Sequence, residues 1–188
     1  MRILIVCGSI ADNARIKTVL KHLEDLLKQK HTEATFWDLK ERPLVIAIPE
    51  LHSNPMETPD TNTQDFLNAV ENADGLVLGS PLYHGSYSGV LKNALDNLRQ
   101  DALRNKTVAL VSNSSNIRNC TIPCDHLRLV VRSLHGHVIQ GQIGTATEDF
   151  EEKDGQHILV SADIQKRCEN LTEEIINVTE ALNSSSHE

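Results

Sequence analysis

The chain has 188 residues, 39% of them hydrophobic and 23% charged, and its formal net charge at pH 7 is −8. These values are ordinary for a globular protein and predict one domain over residues 1–183, followed by a disordered tail at 184–188. The 18 lysines and arginines are too few and too scattered to form a basic surface, so we expect neither nucleic acid nor a membrane as a partner. The opening MRILIVCGS is far too short for a signal peptide or a membrane span, which predicts a cytoplasmic protein.

The first part of the chain alternates apolar strand-like segments with amphipathic helices. The apolar run at 3–7 predicts a first buried strand, and the apolar residues of 13–30 recur at the spacing of one helical face. Residues 35–39 fit a second strand. Residues 40–63 hold four of the six prolines and show no helical periodicity, so we expect a long loop, of a length that is usually functional or interfacial. Residues 64–72 fit a short helix.

The segment from Gly75 to Leu98 predicts a strand, a loop and a helix in that order. An apolar run at 76–78 is typical of a strand buried on both faces of a parallel sheet. From Gly79 onward, glycine, serine and proline crowd the sequence, so the backbone should leave regular structure and expose its N–H groups. Ser88 is a favourable N-cap for the helix that follows. The loop lies at the carboxyl end of its strand, where open α/β sheets bind their ligands.

The second half of the chain continues the alternation. The predicted elements are a strand at 106–111, a polar loop at 112–119, a helix at 122–134, a strand at 138–143, an acidic connection at 145–155 and a terminal helix at 161–182. Five strands that alternate with helices imply a parallel sheet with right-handed crossovers. If the first, third and fourth strands are neighbours, the loops that follow them meet at one edge of the sheet.

The segment 79–98, GSPLYHGSYSGVLKNALDNL, resembles the signature of the NADPH-dependent FMN reductase family, which includes reductases of flavins, quinones, azo compounds and chromate. GSP, the tyrosine, GS and GVLKNALD all stand at the family's spacing. The resemblance implies a flavodoxin-like α/β fold: a doubly wound five-stranded parallel sheet in the order 2-1-3-4-5, with helices on both faces. It also implies a homodimer or homotetramer in which residues 40–63 pack at a subunit interface near the flavin. Leu82 and His84 depart from the family, which usually has Glu and Asn there.

The loop after the first strand, Ser9 to Arg15, suits a phosphate because it precedes a helix whose first N–H groups are free to donate. Ser9 and Asn13 can add side-chain donors, and Arg15 can add positive charge. In the resembled family this loop has a pattern close to GSxRxxSxN. This chain has Ala11 and Ala14 in place of that Arg and Ser, and Ile16 in place of the Asn or Thr. Each lost charge-assisted hydrogen bond removes about 1.5–3 kcal/mol.

The resemblance implies that FMN is held by the three loops together. The FMN contacts that we predict are Ser9, Asn13, Arg15, Pro81, Leu82, Tyr83, His84, Gly85, Ser86, Ser112, Asn113 and Ser114. Main-chain N–H groups of Tyr83 to Gly85 should face the polar edge of the flavin ring and stabilise its reduced form. His84 can donate to the flavin or protonate a substrate, or it can be a solvated side chain in place of the family's Asn, which is the interpretation we favour. No residue is assigned a catalytic role, because flavin N5 carries the chemistry.

Other site chemistries fit the sequence less well. Four cysteines without a CxxC pair predict no disulfide framework. Two of them, Cys120 and Cys124, lie near three histidines, but the spacing matches no common zinc site, and we expect no metal. Without a GxSxG motif to place a nucleophilic serine, hydrolysis is disfavoured.

These observations together predict an NAD(P)H-dependent FMN oxidoreductase. It should take hydride from NADPH or NADH and pass electrons to a flavin, a quinone or another small acceptor. Two alternatives remain open. One is a non-catalytic flavodoxin-like electron carrier or binding module, which the missing side chains at Ala11 and Ala14 suggest. The other is a pathway-specific flavoenzyme that acts on a biosynthetic intermediate, which Leu82 and His84 suggest. The GVLKNALDNL helix resembles the reductases more than the carriers, which favours the enzyme.

Overall fold

The structure is a computed structural model that describes residues 1–185; residues 186–188, the end of the predicted tail, lie outside the described residues. Its main strands are β1 (Arg2–Cys7), β2 (Glu33–Asp38), β3 (Gly75–Pro81), β4 (Thr107–Asn113) and β5 (His137–Thr145). They form a five-stranded parallel sheet in the order β2-β1-β3-β4-β5, which confirms the predicted order. Every residue of β3 and β4 is buried, as expected for central strands covered on both faces.

Helices cover both faces of the sheet, as predicted. They are α1 (Arg15–Gln29), α2 (Thr61–Asn72), α3 (Gly89–Asp96), α4 (Ile122–Ser133) and α5 (Ala162–Ser185). The helices α2, α3 and α4 pack on the face that receives Leu4 and Val6, and α1 and α5 pack on the face that receives Ile3 and Ile5. Alternate residues of a strand therefore enter two apolar layers. Because α5 runs to its last described residue, the first part of the predicted tail, 184–185, is helical.

The third strand is longer than predicted. β3 extends to Pro81, so the expectation that the backbone leaves regular structure at Gly79 is wrong. Residues 79–81 pair with residues 111–113 of β4, and this pairing also moves the start of the next predicted loop into a strand. A Cβ atom on Gly79 would lie 2.5 Å from Cδ1 of the buried Leu20, so this glycine lets α1 pack closely on the sheet. The glycine serves helix packing, and the polar loop begins only after the strand ends.

A β-hairpin occupies the acidic connection predicted at 145–155. Strands β6 (Phe150–Lys153) and β7 (Gln156–Leu159) pair antiparallel around Asp154 and Gly155, whose φ angles are 52° and 74°. Positive φ at two successive residues is the geometry of a type I′ turn, for which Asp-Gly is a favourable sequence. The Asp-Gly turn signal is in the sequence, but each strand beside it has only four residues and β6 is mostly charged. The sequence pattern therefore does not predict a hairpin. The hairpin packs on α1.

The proline-rich loop before α2 consists of irregular backbone and two 3₁₀ turns, Pro49–Leu51 and Pro55–Glu57. This agrees with the predicted long loop. α2 begins earlier than predicted, at Thr61, because the Asp60 carboxylate caps it by accepting a hydrogen bond from the Thr63 N–H group at 2.7 Å. Within residues 1–185, no helix is long and apolar enough to cross a membrane.

Candidate functional site

The loops that follow β1, β3 and β4 lie side by side at the carboxyl edge of the sheet. The Gly8 N–H group donates to the carbonyl of Gly79 at 2.8 Å, and Ser88 Oγ donates to the carbonyl of Gly8 at 2.5 Å. The Leu82 N–H group donates to the carbonyl of Asn113 at 2.7 Å. We call this edge the rim and define it by residues 9–14, 82–88 and 114–121. The fold thus brings the three loops together as expected.

The start of α1, directly after the first rim loop, has free main-chain donors and a cation whose Nε is unpaired among residues 1–185. Its N-cap residue, Ala14, has no polar side chain, and within residues 1–185 no side chain caps the helix. Its first turn contains no acidic residue. Arg15, the first residue of α1, has a buried Nε atom that meets no hydrogen-bond acceptor among the described residues. The N–H groups of Arg15 and Ile16 are free among the described residues, whereas the N–H group of Lys17 donates to the carbonyl of Ala14 at 2.9 Å. Two free N–H groups and a guanidinium with an unpaired Nε favour an anion, because the helix dipole and the charge both attract it.

The second positive charge at this end of the rim is already paired. Lys17 Nζ lies 2.6 Å from the carboxylate of Asp38 and 2.8 Å from that of Glu41. Hydrogen bonds to these two carboxylates raise the pKa of Lys17. Lys17 is therefore committed to a local ion-pair network, whereas Arg15 keeps its charge available for a ligand.

Two polar side chains predicted at this loop have different roles. Ser9 is buried, and its Oγ accepts a hydrogen bond from the Ala11 N–H group at 3.3 Å. In the described part of the chain the Ser9 hydroxyl donates to no group, so its hydrogen is available. Asn13 is exposed, and its Nδ2 donates to the carbonyl of Gly155 at 2.8 Å. Asn13 therefore joins the rim to the β6–β7 hairpin, a contact that the sequence analysis missed together with the hairpin itself.

The middle of the β3 loop is a two-residue type I′ turn. The Tyr83 N–H group donates to the carbonyl of Ser86 at 2.9 Å, and the reverse bond measures 3.1 Å. Between them, the φ angles of His84 and Gly85 are 48° and 82°. The N–H groups of His84 and Gly85 donate to no protein atom among residues 1–185. Of the main-chain donors that we predicted, Tyr83 is used inside the turn, while the amides of His84 and Gly85 remain available.

The backbone of the turn explains the residue type at position 84. A positive φ is a conformation that asparagine and histidine adopt more readily than most residues. His84 therefore preserves the turn in which the resembled family usually has Asn. Its side chain is exposed and has no hydrogen bond within the described chain. These observations support the interpretation of His84 as a solvated side chain on a constrained backbone.

The end of β4 brings fewer side chains to the rim than predicted. Ser112 is buried, and its Oγ donates to the carbonyl of Cys120. Asn113 Nδ2 donates to Thr145 Oγ1 on β5 at 3.1 Å. The side chains of Ser112 and Asn113 are thus committed to neighbouring elements, and Ser114 is the member of this predicted set that lies in the rim. The pairing of β4 with β3 fixes the directions of these side chains. The sequence alone does not reveal that pairing.

Three large apolar side chains are exposed around the rim, one on each loop. Ile10 is 53% exposed, Tyr83 46% and Ile117 51%. The two isoleucines are rim residues that the sequence analysis missed. An isoleucine in the middle of a polar loop is the signal that identifies them, because exposed apolar groups that cluster often mark a binding surface. Beneath them, Pro81 is buried at the end of β3 and Leu82 is half-buried.

Cys120 is a buried residue of the third rim loop, and Cys7, Cys124 and Cys168 lie in the core. All four are free and buried. Burial raises the pKa of Cys7 to about 11 and the pKa values of Cys124 and Cys168 to about 12, so these thiols are protonated near neutral pH. Among residues 1–185, no cluster of three or more His, Cys, Asp or Glu side chains is placed to hold a metal ion. The rim offers hydrogen-bond donors, the Arg15 guanidinium and apolar surface.

These groups fit FMN. The uncapped start of α1 and Arg15 match its phosphate, and the amides of His84 and Gly85 match the polar edge of its ring. The exposed apolar side chains match the flat faces of the ring. Arg15 Nε is one of four buried side-chain atoms without a hydrogen-bond partner among residues 1–185, and it alone belongs to a cation at a helix start, which suits an anion.

Comparison with known proteins identifies the family. The family model of the NADPH-dependent FMN reductases matches residues 1–150. The FMN-dependent NADPH-azoreductase of Staphylococcus aureus is 35% identical to this chain over 189 residues, which cover 100% of this chain and 98% of that protein. The resemblance inferred from the GSPLYHGSYSGVLKNALDNL segment is therefore confirmed over most of the chain.

Solved structures agree with the flavodoxin-like fold. An oxidoreductase from Corynebacterium diphtheriae superposes with a TM-score of 0.73 at 18% identity, covering 96% of this chain and 97% of that one. The flavoenzyme NAD(P)H:(acceptor) oxidoreductase from Paracoccus denitrificans superposes with a TM-score of 0.71, also at 18% identity and with the same coverage of both chains, 96% and 97%. The chain belongs to the NADPH-dependent FMN reductase family, and it is an NAD(P)H-dependent oxidoreductase that uses FMN.

Proposed function

We propose that the chain holds FMN at the rim and uses it to reduce a small aromatic acceptor, such as an azo compound, with NADPH or NADH as the electron donor. The observation that carries the proposal is the buried, unpartnered Nε atom of Arg15 at an uncapped helix start. The azo class rests on similarity to the Staphylococcus aureus enzyme, which is named for azo reduction and matches the full chain. Bound FMN supplies the redox chemistry by accepting hydride at N5.

The Arg15 guanidinium and the free N–H groups of Arg15 and Ile16 hold the phosphate in this proposal. The side chains that the family places at positions 11 and 14 are absent, but main-chain donors do not depend on side-chain identity. Ser9 adds a hydroxyl that is already oriented by its bond to the Ala11 amide. The phosphate end therefore keeps most of its donors despite the two alanines.

The type I′ turn carries the ring end of the site. The amides of His84 and Gly85 stabilise the negative charge that develops on the polar edge of a flavin during reduction, and they need no reorganisation because the turn fixes them. Tyr83 and Ile117 provide apolar contacts on which an aromatic acceptor can stack beside the ring. Hydride transfer and acceptor reduction then use the same open face of the rim.

We also propose that the chain forms a homo-oligomer through the proline-rich loop. Val45, Ile46 and Ile48 are 38%, 78% and 43% exposed, which makes an apolar strip on one short segment. The backbone beneath this strip is fixed, because Asn93 of α3 and Asn97, which follows that helix, donate to the carbonyl of Val45 at 2.9 and 3.1 Å. A fixed apolar strip at the surface suits a second copy of the chain.

Sedimentation velocity tests the oligomer. We expect a dimer or tetramer for the wild type and a smaller species for Ile46→Asp, because a buried carboxylate in the interface is costly. Ile158→Asp, at an exposed position on the β6–β7 hairpin, is the control and should keep the wild-type mass. A monomeric wild-type protein would contradict this part of the proposal.

A cytoplasmic location without a membrane or nucleic-acid partner completes the proposal. The four free cysteines are typical of a protein from a reducing compartment. The 26 acidic residues outnumber the 18 lysines and arginines, so the surface would repel nucleic acid and anionic lipid. Fractionation of the source cells tests the location.

Anaerobic spectroscopy of the purified protein tests the proposed activity. We expect a yellow protein, or one that becomes yellow with added FMN, whose flavin absorbance is bleached by NADPH and restored by a sulfonated azo dye as the dye loses its colour. Failure to take up FMN would contradict the proposal. Bleaching by NADPH without loss of dye colour would contradict the azo class alone, and a panel of quinones and free flavins would then identify the acceptor.

A further inference from the structure

We infer that His126 is a positioning residue for the flavin. From α4 it holds the Tyr83–Ser86 turn in the place from which two main-chain amides reach the ring. The starting observation is one contact, in which Ser86 Oγ lies 2.9 Å from His126 Nδ1. The inference rests on the proposed function, because it assigns a role within the same site.

Besides this contact, the segment 83–87 is held by its two ends and by Tyr87, which packs against the core. Leu82 anchors one end of it to β4, and Ser88 anchors the other end to Ser80 and to the loop after β1. For residues 83–87, the contact with His126 is the only side-chain hydrogen bond within residues 1–185. The tip is exposed to solvent, and so is its hydrogen bond with His126. Ser86 is therefore the point at which the tip can be held in place from outside.

α4 is a firm support for the imidazole. Cys124 and Leu127, which flank His126 along the helix, are both fully buried in the core. The guanidinium of Arg128 donates to the carbonyl of Ile139 at 3.1 Å, which ties the same helical turn to β5. A side chain that projects from a helix fixed in this way positions a loop more accurately than another loop residue would.

The turn needs this support because little else maintains its shape. His84 has a φ angle of 48°, which is strained for a residue with a Cβ atom. One bridge, between Tyr83 and Ser86, closes the turn, whereas four residue pairs flank the equivalent turn of the β6–β7 hairpin. Without an external anchor the two amides would sample several directions, and donors that must reorganise stabilise a reduced flavin less.

The hydrogen bond between Ser86 and His126 depends on the position of the ring nitrogen Nδ1 and not on which ring nitrogen carries the proton. A serine hydroxyl donates to an unprotonated Nδ1 or accepts from a protonated one, so both neutral tautomers of His126 support the bond. Asparagine places an amide atom close to the position of Nδ1, whereas glutamine places it further from the backbone. We therefore expect His126→Asn to keep the contact and His126→Gln to lose it.

FMN affinity and the midpoint potential of the bound flavin test the inference. We expect Ser86→Ala, His126→Ala and the double variant to weaken FMN binding by the same factor, about fivefold, as for one ordinary hydrogen bond. Each should also make the potential more negative by the same shift. His126→Asn should restore both values and His126→Gln should not. Leu129→Ala, at a 69% exposed position on the same helix, is the control and should match the wild type.

Several outcomes would overturn the inference. One is a His126→Ala protein with wild-type affinity and potential, and another is a double variant in which the two single effects add. Rescue by asparagine but not by glutamine distinguishes positioning from a general loss of folding. A wild-type chain that takes up no FMN would instead refute the proposed function, whereas a wild type that binds FMN beside unchanged variants refutes this inference alone.

Discussion

The phosphate end and the ring end of the rim have both departed from the family's sequence, but in different ways. At the phosphate end, Ala11 and Ala14 remove side chains, while the start of α1 keeps its free N–H groups and Arg15. At the ring end, His84 changes a side chain, while the turn keeps the positive φ that directs its amides. In the proposed site the main chain carries most of the donors, so we expect FMN binding to survive these side-chain changes as long as the backbone conformation is preserved.

Removing the free cation at the phosphate end should have the largest effect. Arg15→Gln deletes the charge, and we expect FMN affinity to fall about 10- to 100-fold, since a hydrogen bond to a charged group contributes about 1.5–3 kcal/mol. Fluorescence titration of the apo-protein with FMN measures the change. Riboflavin, which lacks the phosphate, should bind the variant and the wild type equally.

Arg132→Gln is the matched control for this prediction. Arg132 lies in the last turn of α4, away from the carboxyl edge of the sheet. The control should bind FMN as the wild type does. Equal FMN affinity of Arg15→Gln and the wild type would place the phosphate away from α1.

Two glycines with the same conformation separate the ring end from the β6–β7 turn, which contacts the rim only at its first loop, through Asn13. Gly85 and Gly155 have φ angles of 82° and 74°, and an added Cβ at either position would meet no described atom within 4 Å. Alanine at either position should lower the free energy of unfolding by about 1–2 kcal/mol through backbone strain. We expect only Gly85→Ala to make the midpoint potential of the bound flavin more negative. Equal shifts in both variants would show that the potential reports general stability.

Restoring a polar cap at the phosphate end should stabilise the protein. Ala14 has the extended φ and ψ angles of an N-cap, −85° and 117°, so a serine there can accept a bond from the first turn of α1. Ala14→Ser should raise the free energy of unfolding by about 1 kcal/mol in urea titrations of the apo-protein. Ala11→Ser, at an exposed position of the same loop, should have no such effect. A destabilised Ala14→Ser protein would contradict the assigned start of the helix.

Replacing His84 at the ring end by asparagine, the residue that is usual in the family, should have the smallest effect. His84→Asn keeps a residue type that tolerates positive φ, so we expect stability to change by no more than about 0.5 kcal/mol. Steady-state rates with several acceptors should match those of the wild type. A fall of about a hundredfold, the size expected for a lost general acid, would show that the imidazole takes part in the chemistry.

Much of the fold follows from local sequence patterns, and the parts that do not follow depend on distant neighbours. Apolar periodicity located the strands and helices, whereas the strand order came from the resemblance to a family. Gly79 looks like a turn residue in sequence, and only the approach of Leu20 from α1 shows why glycine is needed in the strand. The β6–β7 hairpin escaped prediction because its strands have only four residues each and three of the four in β6 are charged, which leaves little apolar pattern.

As with the fold, some features of the site follow from local sequence, and others depend on residues that are distant in the chain. The sequence predicted that three loops converge and that the β3 loop offers main-chain donors. It did not predict that Ser112 points into the structure, because the pairing of β4 with β3 decides that direction. Nor did it identify Ile10 and Ile117, whose exposure becomes meaningful only once the fold places them beside Tyr83. The pathway-specific alternative stays a prediction, since it depends on an acceptor that neither sequence nor fold specifies.

A crystal structure of the protein with FMN bound tests the central claim most directly. We predict a phosphate oxygen within hydrogen-bond distance of Arg15 Nε and of the N–H groups at the start of α1. The polar edge of the ring should face the amides of His84 and Gly85. A phosphate bound elsewhere, or a rim without flavin in crystals grown at saturating FMN, would contradict the account.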